Sequence, residues 1–320
     1  MTAMFAPVAL PNGIAWDGTR ASIADGIAAW VDSDAMSALL AEFGMSPLPD
    51  GPLGERLVAL ELISAQCWDY RNGLERHQAV GETFAADRAA RIEAATVALG
   101  LVNRQTAAYE AYEHVLVLGG GVRTMLARAE LAATVLDQGI QATTVAGLGS
   151  VRPLENQAQI ARELGLPECP TEGDAVDAGL RRSFGLVEPA SRRSGTSDIG
   201  QPWWIRSYDQ ARPIVHVLAA PSTRHGVRAN TGDTLIGWAE LVQPAPEGAR
   251  LLIVTTDIFV PFQHCDAVRL LTLRYDCFID TIGFSTAASP WVSTPETFQV
   301  LQEVRSAVRS MLDLYLALVE

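Results

Sequence analysis

A chain of 320 residues, 48% hydrophobic and 19% charged, carries enough apolar material for a full core and is not an intrinsically disordered segment. Its formal charge of −13 opposes a nucleic-acid backbone or an anionic membrane as the main partner, leaving a small molecule as the expected ligand. All 24 basic residues are arginine, which excludes a phosphate loop with its lysine, a pyridoxal Schiff base and a lysine nucleophile.

Residues 1–20, with Pro7, Pro11, Asn12, Gly13 and Gly18, read as an irregular arm. Short helices are expected at 22–31 and 35–43, a proline-rich break at 47–52, and long amphipathic helices at 55–75 and 80–101. No strand signal precedes residue 110, so 1–110 is read as a helical N-terminal region or cap.

The pattern then changes. Residues 115–121 read VLVLGGG: four apolar residues suited to a strand buried on both faces, then three glycines, then a helix expected at 122–138. Strands follow at 141–146, 214–219, 251–254 and 277–282, separated by helices at 155–164, 171–184, 230–243, 259–271 and 296–319. Residues 188–212 read as an insert loop, with Trp203 and Trp204 either a lid or an anchor onto the core. Alternation of this kind predicts an α/β fold over 111–320, a doubly wound, mainly parallel, Rossmann-like sheet. Ligands of such sheets lie at the carboxyl ends of the strands, where 119–123, 147–155, 222–234 and 255–257 would meet.

Gly119, Gly120 and Gly121 let the chain turn sharply ahead of a helix whose first N–H groups, with Arg123, suit a negatively charged or polar small molecule. A tight packing turn is the alternative, because Thr124 stands where the dinucleotide fingerprint has its third glycine. The second strand also ends without the acid that would grip a nicotinamide cofactor's ribose. Arg128, Arg152, Arg224 and Arg228 fall at the same edge, and Arg228, two residues before a helix start, suits a carboxylate or phosphate. Glu155 and Asp233 could bind a ribose or amine, act as general base, or serve only as helix-start residues. His225 in the same loop could titrate near neutrality, whereas His114 and His216 belong to buried strands.

Other chemistry is excluded. His264, Cys265 and Asp266 are adjacent on a helix and point apart, and no metal site is expected. Cys67, Cys169, Cys265 and Cys277 form no C-x-x-C pair and read as buried free thiols. No serine lies in a G-x-S-x-G elbow. Neither a leader pattern nor a membrane-length apolar run is visible, and a cytoplasmic location is expected.

VLVLGGG with Arg128, Glu155 after a glycine-rich strand end, ANTGDT at 229–234 and LLIVTT at 251–256 together resemble the ordered blocks of the SanA/ElyC/YdcF-like family over roughly residues 114–283. That resemblance implies a Rossmann-like sheet that binds S-adenosylmethionine. With it, the cofactor-binding set is Gly119, Gly120, Gly121, Arg123, Asn230, Thr231, Thr255 and Thr256, and the catalytic set is Glu155, Asp233 and Arg228. Phe259 and Phe262 stand where that family has a His and then an Arg. The expected function is an S-adenosylmethionine- or nucleoside-binding enzyme that transfers a group to a small metabolite. The alternatives are a non-catalytic ligand-binding protein and a phosphoester hydrolase.

Overall fold

A computed structural model describes residues 4–11, 19–73, 78–102, 106–154, 157–210 and 212–320. The N-terminal region is helical as expected: α1 (Arg20–Val31), α2 (Asp34–Glu42), α3 (Leu53–Cys67) and α4 (Ala86–Ala98). Helix α3 stops earlier than its amphipathic pattern suggested. Trp68 leaves the helical angles as its C-cap, and further on Asn72 and Gly73 take left-handed backbone angles. Helix α4 starts late because residues 79–85 lie outside any helix; a Cβ on Gly81 would fall 2.1 Å from the Phe298 ring.

Seven strands form one sheet among the described residues: β1 (Ala111–Leu118), β2 (Gln141–Ser150), β3 (Ser191–Thr196), β4 (Pro202–Tyr208), β5 (Ile214–Ala220), β6 (Arg250–Thr256) and β7 (Phe278–Phe284). Their spatial order is β3-β4-β5-β2-β1-β6-β7. The five from β5 to β7 are parallel, whereas β3 and β4 add on antiparallel at one edge. The mostly parallel α/β fold read from the alternation therefore stands.

Side chains of opposite parity on the parallel strands enter two separate cores, since successive residues of a strand point to opposite faces. On one face Val115, Val117, Val145 and Val254 pack with residues of α5 (Val122–Asp137) and α7 (Glu172–Phe184). On the other, Leu116, Leu118, Leu148 and Ile253 pack with α1–α4, α8 (Thr231–Gly237), α9 (Val260–Ala267) and α11 (Thr297–Val319). Two further short α-helices are α6 (Gln157–Glu163) and α10 (Leu273–Tyr275). Each buried Leu or Val contributes roughly 1.5–3 kcal/mol, so the strands are held from both sides.

The insert expected as a loop at 188–212 is instead the β3–β4 hairpin. Trp203 and Trp204, consecutive on β4, point to opposite faces and join opposite cores. The Arg206 guanidinium covers the Trp204 ring at 4.1 Å and bonds Asp177 at 2.7 Å. The tryptophans are anchors, not a lid. Their period-2 pattern was hidden by the polar Arg206 and Ser207 between Ile205 and Tyr208.

Candidate functional site

The parallel strands end together at one rim, in register from Leu118 beside Leu148 to Val254 beside Ile282. Just beyond β1 the three glycines do different jobs. A Cβ on Gly119 would stand 2.7 Å from the Leu148 carbonyl oxygen and 3.0 Å from Glu172 Cδ, so this residue must be glycine for packing. Gly120 lies against Thr124. Gly121 is the N-cap of α5 with no side-chain cap, and the Val122 N–H that follows donates to Gln157 Oε1 at 3.2 Å.

Behind the bend lies Arg128, 2% exposed. Its Nη1 donates to the carbonyls of Leu118, at 2.9 Å, and Gly119, while Nη2 and Nε donate to Thr256 Oγ1 at 3.0 and 3.2 Å. One guanidinium thus ties the end of β1 to the end of β6. Glu172 secures the neighbouring strand, accepting from Ser150 Oγ at 2.7 Å and Arg152 Nη2 at 2.9 Å.

Two cavities open in front of this frame. An outer cleft of about 620 Å³ lies between Gly121, Arg123 and Thr124 of the α5 start, Gln157 and Ile160 of α6, and the 290–293 loop. An inner chamber of about 180 Å³ is lined by Thr256, Phe259, Phe284, Thr286, Gln302 and Glu303, among others. Thr124, Val292 and Ser293 border both. Trp291 holds the loop down: its Nε1 donates to Glu130 Oε2 at 2.6 Å and Arg182 covers its ring at 5.4 Å.

Asp257, 1% exposed, follows directly on β6 and takes the Ile258 N–H at 2.9 Å and the Thr286 N–H at 3.3 Å. Burial pushes its pKa up to about 6, only partly offset by these bonds.

The remaining residues expected at the rim are found beside α8. Asn230 is its N-cap, and with Asp233 it forms a capping box. The Asp233 carboxylate, 4% exposed, also accepts from the Thr223 N–H and hydroxyl and lies 3.9 Å from Arg224 Nη2. Thr231 Oγ1 accepts from Gln263 Nε2 at 3.4 Å, and the Thr255 hydroxyl donates to Gln263 Oε1. This relay links β6, α8 and α9 without lining either cavity. Arg228 and His225 are exposed in the same loop. Of the expected set, Gly121, Arg123 and Thr256 line the cavities; Glu155 lies outside the described residues.

Sequence reading missed the 285–295 loop, Asp257 as a buried acid, and the pair Gln302–Glu303. The last had a signal: two polar residues between Leu301 and Val304 interrupt an otherwise apolar stripe of the final helix. His264 is a core residue, bonded through Nδ1 to Thr281 Oγ1 at 3.0 Å and through Nε2 to the Pro11 carbonyl at 2.6 Å. Among the described residues no three His, Cys, Asp or Glu side chains are grouped to hold a metal, and no helix is long and apolar enough to cross a membrane.

Fold and rim together define an α/β protein with a mainly parallel sheet and a cleft at its carboxyl edge. A family model described as the Rv3785 N-terminal domain matches residues 15–100. Uncharacterized protein Rv3785 of Mycobacterium tuberculosis is 30% identical over 335 residues, spanning 95% of this chain and 92% of the relative. Uncharacterized protein Mb3814 of Mycobacterium bovis matches to the same extent. The chain belongs to the Rv3785 family. No solved structure matches it.

This corrects the likeness to the SanA/ElyC/YdcF-like family, which no match supports. The blocks that carried it are general devices of parallel sheets. VLVLGGG is a buried strand and its packing turn, ANTGDT is a capping box, and LLIVTT is a second buried strand. The region matched by the family model is instead the helical one, α1–α4.

Proposed function

We propose that the protein binds a small organic anion, of sugar-phosphate or nucleotide size, in the crevice over the ends of β1 and β6 of a doubly wound, Rossmann-like sheet. The doubly wound reading is supported by the strand order, which runs outward from β1 in both directions, and by α5 and α9 lying on opposite faces. Ligands of such sheets settle where the order reverses. The observation that carries the reading is that the outer cleft and the inner chamber adjoin at this point, sharing Thr124, Val292 and Ser293 beside the start of α5. Arg123 supplies a cation, Thr124 and Ser293 supply hydroxyls, and Ile160, Pro290 and Trp291 give an apolar wall.

S-adenosylmethionine, implied by the corrected likeness, keeps a place only as one probe among several. Titration calorimetry with glucose 6-phosphate, AMP and S-adenosylmethionine should give saturable heat with a phosphorylated probe. Arg123→Ala should weaken that binding about tenfold, the loss of one charge-assisted contact. No saturable heat, or an affinity indifferent to Arg123→Ala, would refute the reading.

A further inference from the structure

We infer that helix α6 carries a built-in stand-in for the ligand: Gln157 and Glu163 hold the two anion-recognising groups of the outer cleft, and a phosphate monoester binds by displacing them. This rests on the reading above and deepens it by naming the class of anion that can enter.

The first N–H groups of a helix attract anions, and at α5 one of them is already engaged. The Val122 N–H donates to Gln157 Oε1 at 3.2 Å, an oxygen that reaches over from another helix, since the cap residue Gly121 has no side chain to offer. The same oxygen lies 3.4 Å from where a Cβ on Gly121 would stand, directly against the bend, and both residues line the outer cleft. The cation of that cleft is met from the same helix. Glu163 Oε2 is 4.0 Å from Arg123 Nη2, while Gln159 Nε2 holds the other oxygen of that carboxylate at 2.8 Å. One short helix thus presents a carbonyl oxygen to the N-terminus of α5 and a carboxylate to Arg123, the pair of contacts that a phosphate would make.

Neither contact is strong enough to keep a phosphate out. The side chains of Arg123 and Glu163 are 43% and 51% exposed, and an ion pair in water contributes little. The amide oxygen of Gln157 makes a neutral hydrogen bond, roughly half as strong as the charge-assisted bond of a phosphate oxygen. Of the seven residues of α6 only Ala161 is buried, and a helix that short has little stability of its own, so its side chains can give way. A sugar hydroxyl gains nothing here, because it replaces one neutral oxygen by another. A phosphate monoester brings negative charge to both places.

Calorimetric titration of the full chain with glucose 6-phosphate and AMP tests this. Gln157→Ala removes the stand-in oxygen without changing charge and should tighten binding of a phosphorylated probe by about two- to tenfold, the value of one neutral hydrogen bond that no longer has to be broken. Glu163→Gln should tighten it about twofold, and that gain should vanish alongside Arg123→Ala, because it acts through that guanidinium. If Gln157→Ala does not fold, Glu163→Gln, exposed on α6, decides alone. Unchanged or weaker binding in these two variants overturns this inference and leaves the anion-binding reading standing, whereas no binding of either probe by the wild type or by either variant overturns both.

Discussion

Replacing Arg128 by Met keeps most of the side-chain volume and removes the clamp between β1 and β6. Arg128 is 2% exposed, so water cannot simply take over its bonds to the Leu118 and Gly119 carbonyls and to Thr256 Oγ1. A buried polar group left unsatisfied costs about 1–3 kcal/mol, and part of this returns because removing the charge also removes its own burial cost. We therefore expect a loss of about 3 kcal/mol. For a chain of 320 residues that corresponds to a fall in midpoint temperature of roughly 4–5 °C. Urea unfolding followed by tryptophan fluorescence should show a lower midpoint with an unchanged slope, the signature of lost stability without a changed unfolded state. A loss under about 1 kcal/mol, with cooperative unfolding retained, would refute the assignment of Arg128 as the clamp.

Glycine at the bend separates packing from binding. Gly119→Ala drives a methyl group into the Leu148 carbonyl and should cost about 1–3 kcal/mol in urea unfolding, whereas Gly121→Ala, whose Cβ first meets Gln157 at 3.4 Å, should cost under about 1 kcal/mol. Equal losses would contradict the close approach at Gly119. Asp257 predicts a pH effect of definite sign. Its pKa is raised from 3.8 to about 6, so the native state holds a proton that the unfolded chain has released, and the stability that proton brings is lost as pH rises from about 4 to 6. The ionised, buried carboxylate then opposes folding by up to about 3 kcal/mol, and Asp257→Asn should gain on the wild type progressively across that window. Parallel stability curves for the two proteins between pH 4 and 7 would sink this.

What could be read from the sequence is what repeats locally. Uninterrupted apolar runs such as 115–118 and 251–254 mark strands buried on both faces, and the ANTGDT cap placed the start of α8 correctly, because both depend on neighbours a few residues away. The hairpin at β3–β4 was not legible, since its partner is β5 and its polar residues face Asp174 and Asp177 on α7, far along the chain. The candidate site was read only at one wall. The α5 start announces itself by its glycines, but the opposite wall comes from a loop after the last strand and from α11, brought over β1 only by the sheet order. Asp233, an acid read from the sequence, is engaged by its own cap and loop, while Glu303, which the sequence reading missed in a helix that reads as ordinary core, lines the chamber.

The central claim is that ligand occupies the crevice where the outer cleft meets the inner chamber, and a bulky residue at their junction tests it directly. Thr124→Trp should fold, since Thr124 is only half-buried and opens onto both cavities. In a thermal-shift screen of phosphorylated metabolites, compounds that raise the midpoint of the wild type should leave the Thr124→Trp midpoint unmoved. Equal rises in both proteins, or no rise in the wild type with any compound, would contradict the account.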